Sequence, residues 1–294
     1  MENECKRTLL GIKNEVEKYN IHILLKISEK MPQSFALIIG AMGGMGKSFA
    51  QHLAARKYNL FITDINIKGL QEMAEGLKKQ YAVEIKTEAV DLTDDQELCM
   101  FAKRLMSSDN IGMFVNCAGF GEGETFCEEK IERQLKMIQV HISATVQLTH
   151  AVLPGMIKRK RGKIIIISSM SAFIPAPGNS IYAGTKAFLN TFMESIHMEV
   201  HKHGVRVQSL CPGLTRTGFH ERLKKEGKRS QLSKVVPWMD ADKVVDYSLK
   251  CLDKGKVVCI PGCFNKIIKK GIPILPRKSF YSLSKKIAEQ NLRQ

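Results

Sequence analysis

Ser169, Tyr182 and Lys186 form the arrangement with the clearest chemical content in this chain. Tyr182 and Lys186 are four residues apart, so on a helix they share one face, a turn apart. An ammonium held beside a phenol favours the phenolate and lowers its pKa from about 10 toward neutrality. Tyr182 then becomes a usable general acid or base. Ser169 precedes it by thirteen residues.

Glycines make the second arrangement: Gly40, Gly43, Gly44 and Gly46 follow an apolar run and precede a helical one that begins at Lys47. Such a turn admits positive φ and lets backbone N–H groups approach a pyrophosphate at a helix N-terminus. The same stretch, Ala41 to Ser48, also fits a relaxed nucleotide-triphosphate loop, with Leu60 to Asp64 as a magnesium-binding strand end. That makes a small-molecule kinase the rival reading. Asp64 lies 24 residues beyond Gly40. In a dinucleotide site its carboxylate accepts hydrogen bonds from the adenosine ribose hydroxyls. A charge there repels a 2′-phosphate, and neither Met42 nor Gly43 supplies a compensating cation. NAD is preferred, and NADP is the alternative.

The elements that must position these residues are short apolar runs at 35–39, 59–63, 83–90, 112–116, 163–168, 205–210 and 256–260, separated by helical periods. Alternating β and α with nearly continuous Ile/Val runs predicts a seven-stranded parallel sheet covered on both faces, a doubly wound α/β domain in three layers. A helix with Leu9, Ile12, Val16, Tyr19, Ile23 and Ile27 on one face is expected before it. The organisation is thus an amphipathic extension over 1–33, a dinucleotide-binding domain over 34–262 and a basic amphipathic tail over 263–294.

The order and spacing of these motifs resemble the short-chain dehydrogenase/reductase family, in its single-domain branch with hydroxysteroid-dehydrogenase-like and broad short-chain reductases. The resemblance covers about residues 34 to 262. It rests on Gly40, Gly44 and Gly46, Asp91-Leu92, Asn116-Cys117-Ala118-Gly119, Ser169, Tyr182 with Lys186, and Pro212-Gly213 followed by Thr215 and Thr217. It gives these later features a use that the kinase reading lacks, and implies the strand order 3-2-1-4-5-6-7. It also implies metal-free hydride transfer between a secondary alcohol and a ketone. Tyr182 would pass the proton, Ser169 would orient the oxygen, and Lys186 would bind the nicotinamide ribose. Gly40, Met42, Gly44, Met45, Gly46, Asp64, Asp91, Leu92, Asn116, Ala118 and Gly119 would line the adenosine and pyrophosphate side. Pro212, Gly213, Thr215 and Thr217 would meet the carboxamide. A homodimer or homotetramer through the helices holding His141 and Tyr182 is expected.

Three positions depart from the family pattern: Ile39 replaces a Thr before the first glycine, Cys117 replaces an Asn, and His141 stands where an Asn usually holds a lysine-linked water. His141 is read as a replacement relay, as a packed structural residue, or as a sign of lost activity. A relay predicts turnover more sensitive to pH below neutrality. Phe120, Phe173, Ile174, Pro175, Leu214, Phe219 and Trp238 suit a lipophilic substrate such as a steroid-like, retinoid-like or long-chain acyl compound, beneath a mobile lid over 216–237. His197 and His201, one turn apart with Glu194 nearby, are read as a solvated helix face rather than zinc ligands. Glu122 and Glu124 are read as loop acids.

The chain of 294 residues carries 45 Lys and Arg against 29 Asp and Glu, for a net +16. Residues 254–294 contribute +9 and residues 222–234 a further +5, so the body is near neutral. A basic amphipathic tail suits an anionic membrane surface or a subunit interface. No nucleic-acid motif accompanies the charge, and nucleic acid is not an expected partner. Eight cysteines without a CxxC pair, and an acidic start without an apolar core behind it, point to a reducing, cytoplasmic location with peripheral membrane contact through the tail. The uncharged run Ile164 to Thr185, broken by Pro175, Pro177 and Gly178, suits a strand and loop better than a membrane helix. The competing function is a dinucleotide-binding protein without catalysis, a redox sensor or a membrane-recruited partner.

Overall fold

The computed structural model describes residues 34–108, 110–121, 124–218 and 236–292. The helix expected at 9–27, Phe219, Glu122 and most of the lid lie outside them. The element order is β1 (Phe35–Ile39), α1 (Gly44–Ala55), β2 (Asn59–Asp64), α2 (Ile67–Tyr81), β3 (Ile85–Ala89), α3 (Asp95–Ser107) and β4 (Ile111–Asn116). Helix α4 (Ile131–Ile138) then runs through a π-helical turn, Gln139–Ser143, into α5 (Ala144–Lys158). Next come β5 (Gly162–Ile167), α6 (Ser180–Val200), β6 (Val205–Leu210), the short strands β7 (Thr215–Arg216) and β8 (Met239–Asp240), α7 (Ala241–Asp253), β9 (Val258–Cys259), α8 (Cys263–Gly271) and α9 (Arg277–Leu292).

Seven strands form one parallel sheet in the order β3-β2-β1-β4-β5-β6-β9. Strand alternation divides the core between its two faces. In β1, Phe35, Leu37 and Ile39 point into a cluster with Leu98, Phe101, Leu148 and Leu189, from the helices of one face. Ala36 and Ile38 point into the other, with Phe49, Leu53, Leu70 and Leu249. Such a Rossmann-like layering buries both faces of every central strand and explains the uninterrupted Ile164-Ile165-Ile166-Ile167 run.

All seven strands end at the same edge, where loops after β1, β4, β5 and β6 converge. The apolar run from Ile164 to Thr185 is divided among β5, a 3-10 turn (Met170–Phe173) and the first turns of α6. Among the described residues no helix is long and apolar enough to cross a membrane. Helices α8 and α9 fall in the same compact unit as the sheet.

Candidate functional site

The glycine loop is shaped by close approaches that admit no side chain. Gly40 has φ +71°, and a Cβ there would stand 2.7 Å from the Ala118 nitrogen. A Cβ on Gly46 would stand 2.2 Å from the Gly40 oxygen, and one on Gly44 2.7 Å from Thr217 Cβ. Helix α1 has Gly43 as its N-cap, with no side-chain cap and no acid in its first turn. Its N-terminal amides and dipole therefore favour an anion. Asp64 Oδ2 accepts from Met42 N–H at 3.0 Å, which turns its carboxylate onto the same loop. These residues fit a dinucleotide: a pyrophosphate cradle backed by an acid at the ribose end. They do not fit the triphosphate loop, because the buried Ser48 hydroxyl that would have to face magnesium donates to Asp242 instead.

Several predicted cofactor residues serve as supports. Asn116 Nδ2 donates to Thr145 Oγ1 at 2.8 Å and its Oδ1 accepts from Ala118 N–H at 3.0 Å. Its side chain is buried and bound at both ends. Leu92 lies in the core; only its backbone can face a ligand. Asp91 closes a turn by accepting from Thr93 N–H and Oγ1, each at 2.8 Å. Met45 packs against the core on the α1 side, and Met42 lies against Gly69. Gly213 is pressed against Asn265, whose side chain would be 2.6 Å from a Cβ there. Thr215 Oγ1 donates to the Gly213 carbonyl at 3.0 Å.

Ser169 follows β5 in extended backbone, and its hydroxyl accepts from Ser171 N–H at 3.0 Å. Tyr182 and Lys186 lie in α6 as their spacing predicts. Burial pushes the Tyr182 pKa up, and a hydrogen bond with Ser169 offsets part of that rise. This reverses the lowered phenol pKa expected from sequence. Lys186 Nζ donates to the Ile167 carbonyl at 2.9 Å and stands 5.5 Å from the Tyr182 ring centre. Burial also pushes Lys186 down to about 8. Desolvation thus outweighs pairing at both groups.

His141 is 1% exposed, and its surroundings fix its tautomer. Phe120 N–H donates to Nε2 at 3.1 Å, so Nε2 is unprotonated. Thr185 Oγ1 donates to the Tyr182 carbonyl at 2.8 Å and therefore accepts from Nδ1–H at 2.9 Å. Burial and the nearby Lys186 charge hold its pKa well below the ordinary imidazole range. Both nitrogens are engaged and the ring is neutral, which leaves none for a proton relay. It packs edge-on to Tyr182 with ring centres 5.8 Å apart. The π-helical turn, a feature common near functional sites, sets this ring beneath the loop after β4. Thr145 Oγ1 donates to the His141 carbonyl at 2.7 Å and completes the brace.

Sequence reasoning missed Thr145, Thr185 and Asn265. Thr145 and Thr185 carried a weak signal as hydroxyls one turn from His141 and Tyr182. Asn265 carried none. It donates to the Pro261 carbonyl at 2.8 Å and supports the Pro212-Gly213 loop from α8. The C-terminal helices also reach the segment after Ser169: Lys269 lies 5.7 Å from the Phe173 ring centre, and Ser284 Oγ donates to the Pro175 carbonyl at 3.1 Å. Phe120 packs against the core and against the His141 ring. His197 and His201 have ring centres 5.2 Å apart, and no group of three potential metal ligands occurs among the described residues.

A family model described as short chain dehydrogenase matches residues 34–228. The chain belongs to the short-chain dehydrogenase family. It is 31% identical over 180 residues to a very-long-chain 3-oxoacyl-CoA reductase of Laccaria bicolor, covering 60% of this chain and 53% of that protein. It is equally 31% identical over 180 residues to the human inactive hydroxysteroid dehydrogenase-like protein 1, covering 60% and 54%. The chain therefore spans about half the length of these curated relatives. A short-chain dehydrogenase from Sphingobium yanoikuyae, solved in complex with NADPH, superposes with a TM-score of 0.73 at 28% identity over 78% of this chain and 88% of that one.

Proposed function

We propose that this protein is a nicotinamide-dinucleotide-dependent oxidoreductase interconverting a secondary alcohol and a ketone. The observation that carries this reading is the cluster of half-buried Ser169 and Tyr182 with buried Lys186, at the strand edge that also holds the glycine cradle. When bound, the nicotinamide supplies or accepts a hydride at the carbonyl carbon. Tyr182 gives its phenolic proton to the carbonyl oxygen in reduction and takes the alcohol proton in oxidation. Ser169 orients that oxygen, and Lys186 holds the ribose hydroxyls. A phenol pKa raised by burial keeps Tyr182 protonated at neutral pH, the form that can give a proton in reduction. His141 acts as a positioning residue through Thr185.

Phe120, beside the His141 ring, and Phe173, in the turn after Ser169, support a lipophilic ketone or alcohol as substrate. A panel of lipophilic ketones with NADH and NADPH tests the reading: turnover in the wild type should fall by about 10²- to 10⁴-fold in Tyr182→Phe. Equal rates in the two proteins would overturn it. Asp64 supports NAD over NADP. Nicotinamide fluorescence should show tighter NADH binding, with the gap closing in Asp64→Ala; tighter NADPH binding by the wild type would refute the preference.

A second reading rests on the equal identity to a relative named inactive: a dinucleotide-binding protein without turnover. NADH binding without consumption of any ketone would favour it. A homo-oligomer is supported by Ile131, Leu135, Phe188 and Met198, which are exposed on the helices holding Tyr182 and leading to His141; light scattering should find Leu135→Glu smaller than the wild type. A cytoplasmic location with peripheral membrane contact is supported by the exposed Arg277 and Lys278. Flotation with anionic vesicles should weaken in Arg277→Gln/Lys278→Gln.

A further inference from the structure

Away from the strand-edge cleft, the outer edge of the sheet holds a cavity of about 300 Å³ between α7, β9 and α8. Lys256, Lys266, Lys269 and Lys270 line it, with Tyr247 and the thiols of Cys251 and Cys259. Among the described residues no carboxylate lines it. The acids of α7 are committed elsewhere: Asp246 to Arg56 and Lys250, and Asp253 to Lys163 at 2.8 Å and Arg206 at 3.8 Å. Among the described residues none of the four lysines pairs with an acid. Burial holds the Cys259 thiol above its ordinary range, so it adds no negative charge.

Four uncompensated cations around one cavity repel each other, and an anion placed among them relieves that repulsion. One of the four is already held in place: Lys266 Nζ donates to Tyr247 Oη at 2.9 Å. A phenol that accepts from an ammonium keeps its own O–H to donate. The cavity therefore presents ammonium donors and a hydroxyl donor, a set suited to the several acceptor oxygens of a phosphate.

We propose that this cavity binds a phosphate ester, at a site separate from the glycine loop. Its chemistry could be supplied by a soluble phosphate ester or by a lipid headgroup. Inorganic pyrophosphate, titrated calorimetrically into the full chain saturated with NADH or NADPH, probes it while the glycine loop is filled. Dinucleotide binding, followed in the same samples, tests the enzymatic reading independently.

Pyrophosphate should bind the wild type and bind Lys266→Gln/Lys270→Gln about tenfold or more weakly. Tyr247→Phe, which keeps the ring, should weaken it by a smaller factor. Unchanged thermal midpoints without pyrophosphate would show that the variants fold. Flotation with phosphatidic acid vesicles separates the sources. Pyrophosphate binding without flotation assigns a soluble ester, and flotation lost in the double variant assigns a headgroup. Identical behaviour of wild type and double variant in both assays would overturn the site.

Discussion

The cradle beside β1 and the wall around Ser169 line one cleft, yet they are built from different kinds of contact. Gly46 is pressed on the backbone of Gly40 and Ala41, Gly40 on the backbone of Ala118, and Asp64 accepts from the Met42 N–H, so the cradle is fitted against main chain. The wall is joined through side chains of the C-terminal helices: Gly213 against Asn265, Phe173 against Lys269, and Pro175 with Ser284 across 109 residues. Between them, His141 ties the loop after β4 to the helix of Tyr182. The cradle's shape is set by steric exclusion. The wall's shape depends on the packing of helices that belong to no motif.

This difference should divide the effects of mutation. The largest effect is expected at the cradle. Gly46→Ala places a Cβ against two backbone groups that cannot move independently, and should cost about 3 kcal/mol or abolish dinucleotide binding. Thermal unfolding and a fluorescence titration with NADH would measure it, and a tolerated substitution would remove the steric account of the cradle. Next is Asn265→Ala on the wall. It should cost about 1–2 kcal/mol and lower kcat/KM by a larger factor than it weakens dinucleotide binding. A selective loss of dinucleotide affinity would erase the distinction between the two regions.

The smallest effect concerns His141 and depends on pH. Its folded-state pKa is depressed, so the unfolded chain binds the proton more readily. Its contribution is complete above the ordinary imidazole value of 6.5 and is lost as pH falls below it. The wild type should therefore lose stability in acid by up to about 1.4 kcal/mol per pH unit relative to His141→Asn, as denaturant titrations at several pH values would record. Reductive turnover should show no inflection near 6.5, and should decline as pH rises through about 8, where Lys186 loses its charge. An acid inflection abolished in His141→Asn would restore the relay.

The seven strands and the glycine loop were legible because apolar runs and glycines report on adjacent backbone. Tyr182 and Lys186 were legible for the same reason, since one helical turn fixes their relation. Their pKa directions were not: sequence spacing placed an ammonium by a phenol but carried no measure of burial, and the Ile167 carbonyl that takes the Lys186 proton donor lies on another element. Asn116 illustrates the same limit, because its internal partners, Thr145 and the Ala118 amide, are visible only once β4 and α5 meet. Asn265 could not be found at all from local pattern. The basic residues of 254–270 looked like one surface until α8 folded back beside β9 and gathered four of them round an open hollow.

The central claim is direct hydride transfer at the carbonyl carbon, with Tyr182 handling the proton. It is tested most directly by supplying the reduced dinucleotide deuterated at the transferring carbon of nicotinamide, together with a ketone that is turned over, and reading the product by mass spectrometry. The account predicts one deuterium bound to the carbinol carbon, with product formation strongly reduced in Tyr182→Phe. Alcohol formed without that deuterium, or formed equally by Tyr182→Phe, would contradict it.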